Sequence, residues 1–201
     1  MAKIDVKVVS DNMDKYATYT NCMDKYNSAL ENDAYLEAMM LVYAMLEDRL
    51  KSFLVYIKAI DKIESRYLDI DDTKELLMDI YLKYHKGKKN NVLDLNNISC
   101  KKNLVLSIFE WYQEHKYIKD NDEYLDKLKS LMDLYSYDES IEMFKDFDTW
   151  CNFRNNVMHG LLNKNSDSVN CHLKEQAEYG LKIFRYFDKL VSKARNSKII
   201  F

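Results

Sequence analysis

The segment from Trp150 to Leu162 reads WCNFRNNVMHGLL and sets Arg154, Asn155 and His159 within six residues. Histidine titrates near neutrality and serves as either base or acid. Arginine forks paired hydrogen bonds onto phosphate oxygens. The segment carries no metal-ligand spacing, no nucleophilic Ser or Cys beside a base, and no glycine-rich phosphate loop. An arginine, an oriented histidine and an asparagine are adequate for RNA transesterification, in which the substrate's own 2′-OH attacks the adjacent phosphate. That reaction needs a base, an acid and positive charge for the developing phosphorane. It has two proton transfers against one motif histidine per chain, and a two-fold homodimer is the economical way to supply the second.

On a helix, positions four apart share a face (about 40° of rotation) whereas positions five apart do not (about 140°). Asn155 and His159 therefore share a face, and Asn155 is expected to orient the imidazole. Arg154 falls on a different face, in an apolar sector formed by Ile141, Phe144, Phe147, Cys151 and Met158. A guanidinium there calls for an anionic partner. Glu47, set among Met40, Tyr43, Leu50 and Leu54, is the carboxylate expected to meet it, with Asp48 the alternative. Asp48 and Arg49 read as pointing more toward solvent. A plainer reading stays open: Arg154 and His159 also suit an ordinary helix C-terminus capped by Gly160. His85, His115 and His172 read as surface or cap histidines.

The elements that must hold these residues are helical. The 201 residues include no proline and three glycines, too few for hairpin turns or a glycine-rich nucleotide loop. Apolar stripes at three- and four-residue spacing mark long helices over 33–63 and 171–196, with further helices over 11–30, 72–86, 101–118, 121–135 and 139–159. Gly180 within the last stripe predicts the close approach of another helix, and Asn170 is its expected N-cap. Asp72 with Glu75, and Asp120 with Asp122, open two of the others. Residues 87–100 and 160–170, rich in Asn and Lys, read as solvent loops. The expectation is an all-α antiparallel helical bundle, one domain over 1–201 with its core over about 30–196.

The order Arg154-Asn155-x-x-x-His159 followed by Gly160 resembles the signature of the HEPN superfamily of helical-bundle proteins, in which a polar residue commonly follows the arginine. The resemblance rests on this motif and on the bundle architecture, over about residues 30–196. It implies a HEPN-like bundle with extra helices, a metal-independent endoribonuclease of the toxin or phage-defence kind, a homodimer with both motifs at one cleft, and an acidic or polar residue on the 33–63 helix. It also implies a possible antitoxin or defence-system partner. One departure is informative. HEPN toxins paired with nucleotidyltransferase antitoxins carry a tyrosine two residues after the histidine, where this chain has Leu161. Regulation by that route is not expected.

The formal charge of −3 excludes a uniformly basic coat. RNA would have to meet a local patch, and the densest is Lys83 to Lys102: six lysines, among them Lys86, Lys88, Lys89, Lys101 and Lys102, against Asp94. The four widely spread cysteines, the absence of a secretory signal or apolar span, and the absence of a ligand pattern predict a cytoplasmic protein with free thiols, no metal and no cofactor. Against the ribonuclease stands a second hypothesis, a non-catalytic helical module that binds RNA, a nucleotide or a partner protein. A third is a helical scaffold with a chance motif.

Overall fold

A computed structural model of the protein describes residues 12–60, 72–85, 93–119, 121–160 and 172–201. Among them are seven helices and no strand: α1 (Asn12–Glu31), α2 (Tyr35–Tyr56), α3 (Asp72–Tyr84), α4 (Ile98–His115), α5 (Glu123–Met132), α6 (Tyr137–Gly160) and α7 (Leu173–Asn196). The all-α bundle is thus the architecture. Buried side chains from all seven helices join in one hydrophobic cluster.

The apolar stripe read over 33–63 stops early, at Tyr56, because the chain turns through a left-handed residue. Lys58 has φ 58°, its N–H donates to Val55 O (3.2 Å), and the Ala59 N–H reaches back to Leu54 O (2.9 Å). This paired bonding satisfies the last carbonyls and folds buried Ala59 under the final turn. The same closure ends α1, with Asp33 at φ 55° and the Ala34 N–H on Ala29 O. In a chain with three glycines, Asp and Lys take over the positions that glycine usually fills. At the other ends, Asn97 caps α4 by accepting from the Ser99 N–H (2.8 Å), and Asp122 caps α5 by accepting from Tyr124 and Leu125. The cap position of α7 is His172, whose side chain makes no capping bond; Asn170 lies outside the described residues.

Side-chain pairings fix the directions of the helices. Lys15 meets Ser52 and Tyr19 meets Asp48, so α1 runs antiparallel to α2. Ser140 meets Tyr186 and Trp150 meets Gln176, so α6 is antiparallel to α7. Arg49 meets Asp188 and Tyr56 meets Ser197, so α2 and α7 lie side by side and parallel. The bundle is therefore not antiparallel throughout. The α2–α7 pair is its most extensive helix contact. Tyrosine hydroxyls tie the layers together through backbone carbonyls: Tyr26 to Ala177, Tyr135 to Leu190, and Tyr124 to Ile57. The close approach expected at Gly180 is to Trp150, where a Cβ would stand 2.5 Å from an indole carbon. No described helix is long and apolar enough to cross a membrane.

Candidate functional site

Helix α6 carries the motif, and its burial pattern decides where Arg154 goes. The inward stripe is Ser140, Met143, Phe144, Phe147, Trp150 and Val157. Arg154 falls between Trp150 and Val157 at the same spacing, so its side chain leaves from the inward face. This sector is rotated from the one read in the sequence, since Ile141 is only half-buried and Met158 is exposed.

The expected ion pair with Glu47 does not form. Arg154 lies over the ring of Tyr43 on α2, its guanidinium carbon 4.1 Å from the ring centroid. Nη1 donates to Asn155 Oδ1 (2.9 Å) and Nη2 approaches Met40 Sδ (3.3 Å), while Nε is buried without a hydrogen-bond partner. A cation over an aromatic face gains about 0.5–2 kcal/mol, which replaces part of what a carboxylate would supply without neutralising the charge. Glu47 is taken by another cation, Lys101 of α4, at 2.6 Å.

Lys101 and its neighbour Lys102 depart from expectation for the same reason. Both were expected to belong to a solvated basic face, and both are buried. Consecutive residues point about 100° apart on a helix, and α4 lies between α2 and α6. Lys101 accordingly reaches Glu47 on α2, and Lys102 reaches Asp148 on α6 at 2.5 Å. These two lysines brace the helices that carry Tyr43 and Arg154 and are not presented to a polyanion. Lys86, Lys88 and Lys89 lie outside the described residues.

Asn155 and His159 are exposed on α6. The oxygen of Asn155 accepts from Arg154, not from the imidazole. Among the described residues His159 has no side-chain hydrogen bond, so the asparagine holds the guanidinium where it was expected to orient the base. Helix α6 runs through Gly160; Leu161 lies outside the described residues. Sequence reasoning placed Met40 and Tyr43 in the apolar stripe of α2 and so missed them as the groups that seat Arg154.

The neighbouring thiol is not poised for chemistry. Burial, with the negative charge of Asp148, pushes Cys151 up to about 12. At neutral pH its alkylation by iodoacetamide is expected to run about 10³-fold below that of an unperturbed thiol. Mass-spectrometric labelling rates check this, and rapid modification of Cys151 would contradict it. Among the described residues no group of three or more His, Cys, Asp and Glu side chains could hold a metal ion.

The larger surprise lies elsewhere on α2. Arg49, read as solvent-facing, is buried among Tyr19, Asp48 and Asp188. The signal that could have found it is the width of the buried surface of α2, which includes Met45 and Ser52 beside it. A helix covered by neighbours on several sides has little solvent face left to offer.

The chain matches no protein-family model, no curated protein and no solved structure.

Proposed function

We propose that this chain is a metal-independent endoribonuclease of HEPN type, acting in the cytoplasm as a toxin or phage-defence effector. The observation that carries the reading is the state of Arg154. An arginine directed inward, seated on Tyr43 and held by Asn155, has no carboxylate partner among the described residues. Such a group attracts an external anion, and a phosphodiester suits the planar fork. His159 stands exposed on the same helix, free to exchange a proton with a substrate that Arg154 has drawn in. In a two-fold dimer a second copy of His159 supplies the other proton transfer.

The test is incubation of purified protein with mixed RNAs in EDTA, with Arg154→Lys beside the wild type. The lysine keeps the charge and loses the fork, so cleavage is expected to fall about 10–100-fold. Full activity in Arg154→Lys would remove the arginine from the reading.

A second reading, a non-catalytic module that binds RNA, a nucleotide or a partner protein, is favoured by the bond between Asn155 and Arg154, which leaves the imidazole without an orienting group among the described residues. RNA retained without cleavage, with retention lost in Arg154→Ala, would select it.

A further inference from the structure

Two neutral side chains of α2 hold Arg154, and they differ in kind. Tyr43 offers its ring face, 4.1 Å from the guanidinium carbon. Met40 offers a thioether sulfur, 3.3 Å from Nη2. A thioether is a weak hydrogen-bond acceptor, so this contact seats the cation without answering its charge. Nε has no acceptor at all among the described residues. Arg154 therefore keeps unmet capacity for a strong acceptor. The atom nearest to Nη2 is one that oxidation turns into the carrier of such an acceptor, because a methionine sulfoxide bears a polar oxygen on its sulfur.

Met40 is also within reach of an oxidant. It is 38% exposed, whereas Met39 and Met45 on the same helix, and Met132 on α5, are buried. Met158, one turn beyond Arg154 on α6, is as open at 36%. No hydrogen bond joins its sulfur to the guanidinium among the described residues, so its oxidation leaves Nη2 unaffected. The thiol one turn before Arg154 does not compete for the oxidant. Peroxide reacts with thiolates, and burial keeps Cys151 protonated.

We propose that Met40 is a redox-modification site that closes Arg154 to its anion: a peroxide converts the thioether to the sulfoxide, whose oxygen accepts from Nη2. The inference rests on the reading above, in which Arg154 receives a phosphodiester. In the oxidation an S–O bond forms as the O–O bond of the peroxide breaks. The sulfur gives up two electrons, and the proton of the transferred oxygen passes to the departing one, which leaves as water. With the sulfur already at 3.3 Å, the new oxygen comes within hydrogen-bond reach of Nη2 once the unbranched side chain adjusts. It then competes with a phosphate oxygen for the same donor. A sulfoxide reductase with a dithiol restores the thioether. The helices need not move.

The test treats the full chain with graded hydrogen peroxide and follows each methionine by peptide mass spectrometry. Met40 should be converted well before Met39, Met45 and Met132. Phenylglyoxal, which condenses with available guanidinium groups, then reads the state of Arg154. Its labelling should fall about fivefold on oxidation, and RNA cleavage about tenfold. Both should return after treatment with methionine sulfoxide reductase and dithiothreitol. Met40→Leu, compared with itself before and after peroxide, should lose both responses, whereas Met158→Leu should keep them. Met40→Gln sets an amide carbon and its oxygen where the sulfoxide would be, so it should show the low labelling without peroxide. Oxidation of Met40 no faster than that of the buried methionines would overturn the proposal. So would labelling of Arg154 that ignores the oxidation, or a response that survives in Met40→Leu. The labelling needs no RNA, so a protein that cleaves none would sink the ribonuclease reading while the labelling still decides this one.

Discussion

Replacing His159 by alanine is expected to lower RNA cleavage by about 10²–10⁴-fold, the range that general acid–base groups contribute. The imidazole is exposed on α6 and makes no side-chain hydrogen bond among the described residues. Its removal should therefore leave the melting temperature unchanged, so lost activity would report chemistry and not unfolding. The products distinguish the mechanism from its rivals. Attack by the internal 2′-oxygen leaves a 2′,3′-cyclic or 3′-phosphate on one fragment and a 5′-hydroxyl on the other. A substrate with a 2′-deoxyribose at the scissile position should resist, and cleavage should persist in chelator. End-labelling with and without phosphatase treatment reads these termini directly. A 5′-phosphate product, or activity that appears only with Mg²⁺ or Mn²⁺, would show that water or a metal does the work.

The largest effect on stability is expected at Trp150. Its side chain is fully buried, its indole N–H donates to Gln176 O at 2.7 Å, and its ring lies flush against Gly180. Trp150→Ala removes the largest buried side chain of the bundle and leaves an unfilled space between α6 and α7, at a cost of about 3–5 kcal/mol. For a chain of this size that corresponds to a melting temperature lower by about 10–15 °C. Gly180→Ala tests the same contact from the other side. Helix propensity alone favours alanine by about 1 kcal/mol, but the new methyl would stand 2.5 Å from a rigid ring carbon. Overpacking of this kind costs about 1–3 kcal/mol, so the net change should be destabilising. Trp150→Phe should partly relieve it, because the smaller ring vacates the contested space. A Gly180→Ala protein more stable than wild type would show that the two helices do not meet there.

The helices were legible because their stripes are long and the chain lacks the residues that interrupt helices. Even the close contact at Gly180 could be read, since a glycine inside an apolar stripe has few other uses. The partners of individual charges were not legible. Glu47 lies at the edge of its stripe as the helical wheel predicts, but the wheel says nothing about which helix lies across from it. Helix α4 brought Lys101 there, so Arg154 found Tyr43 and Met40 instead. Arg49 shows the converse failure. A single apolar face implies a solvent face opposite, and α2 is covered by α1 and α7 where the wheel showed water. For the motif, residue types and spacing pointed to Arg154, Asn155 and His159. That Asn155 binds the guanidinium and leaves the imidazole alone depends on rotamers that spacing does not determine.

The parallel pairing of α2 with α7 has a consequence for how the chain matures on the ribosome. The contacts that join the two helices link residues far apart in sequence, 139 positions for Arg49 and Asp188, and 141 for Tyr56 and Ser197. Helical proteins rich in local contacts fold early and fast, whereas distant pairings delay closure of the core. A nascent chain that has emerged only as far as α6 leaves the inner face of α2 without its main cover. Synthesis of the motif therefore precedes completion of the bundle that holds it. A partner able to occupy that uncovered face would meet the chain before it could close, which makes translation itself a window for restraint.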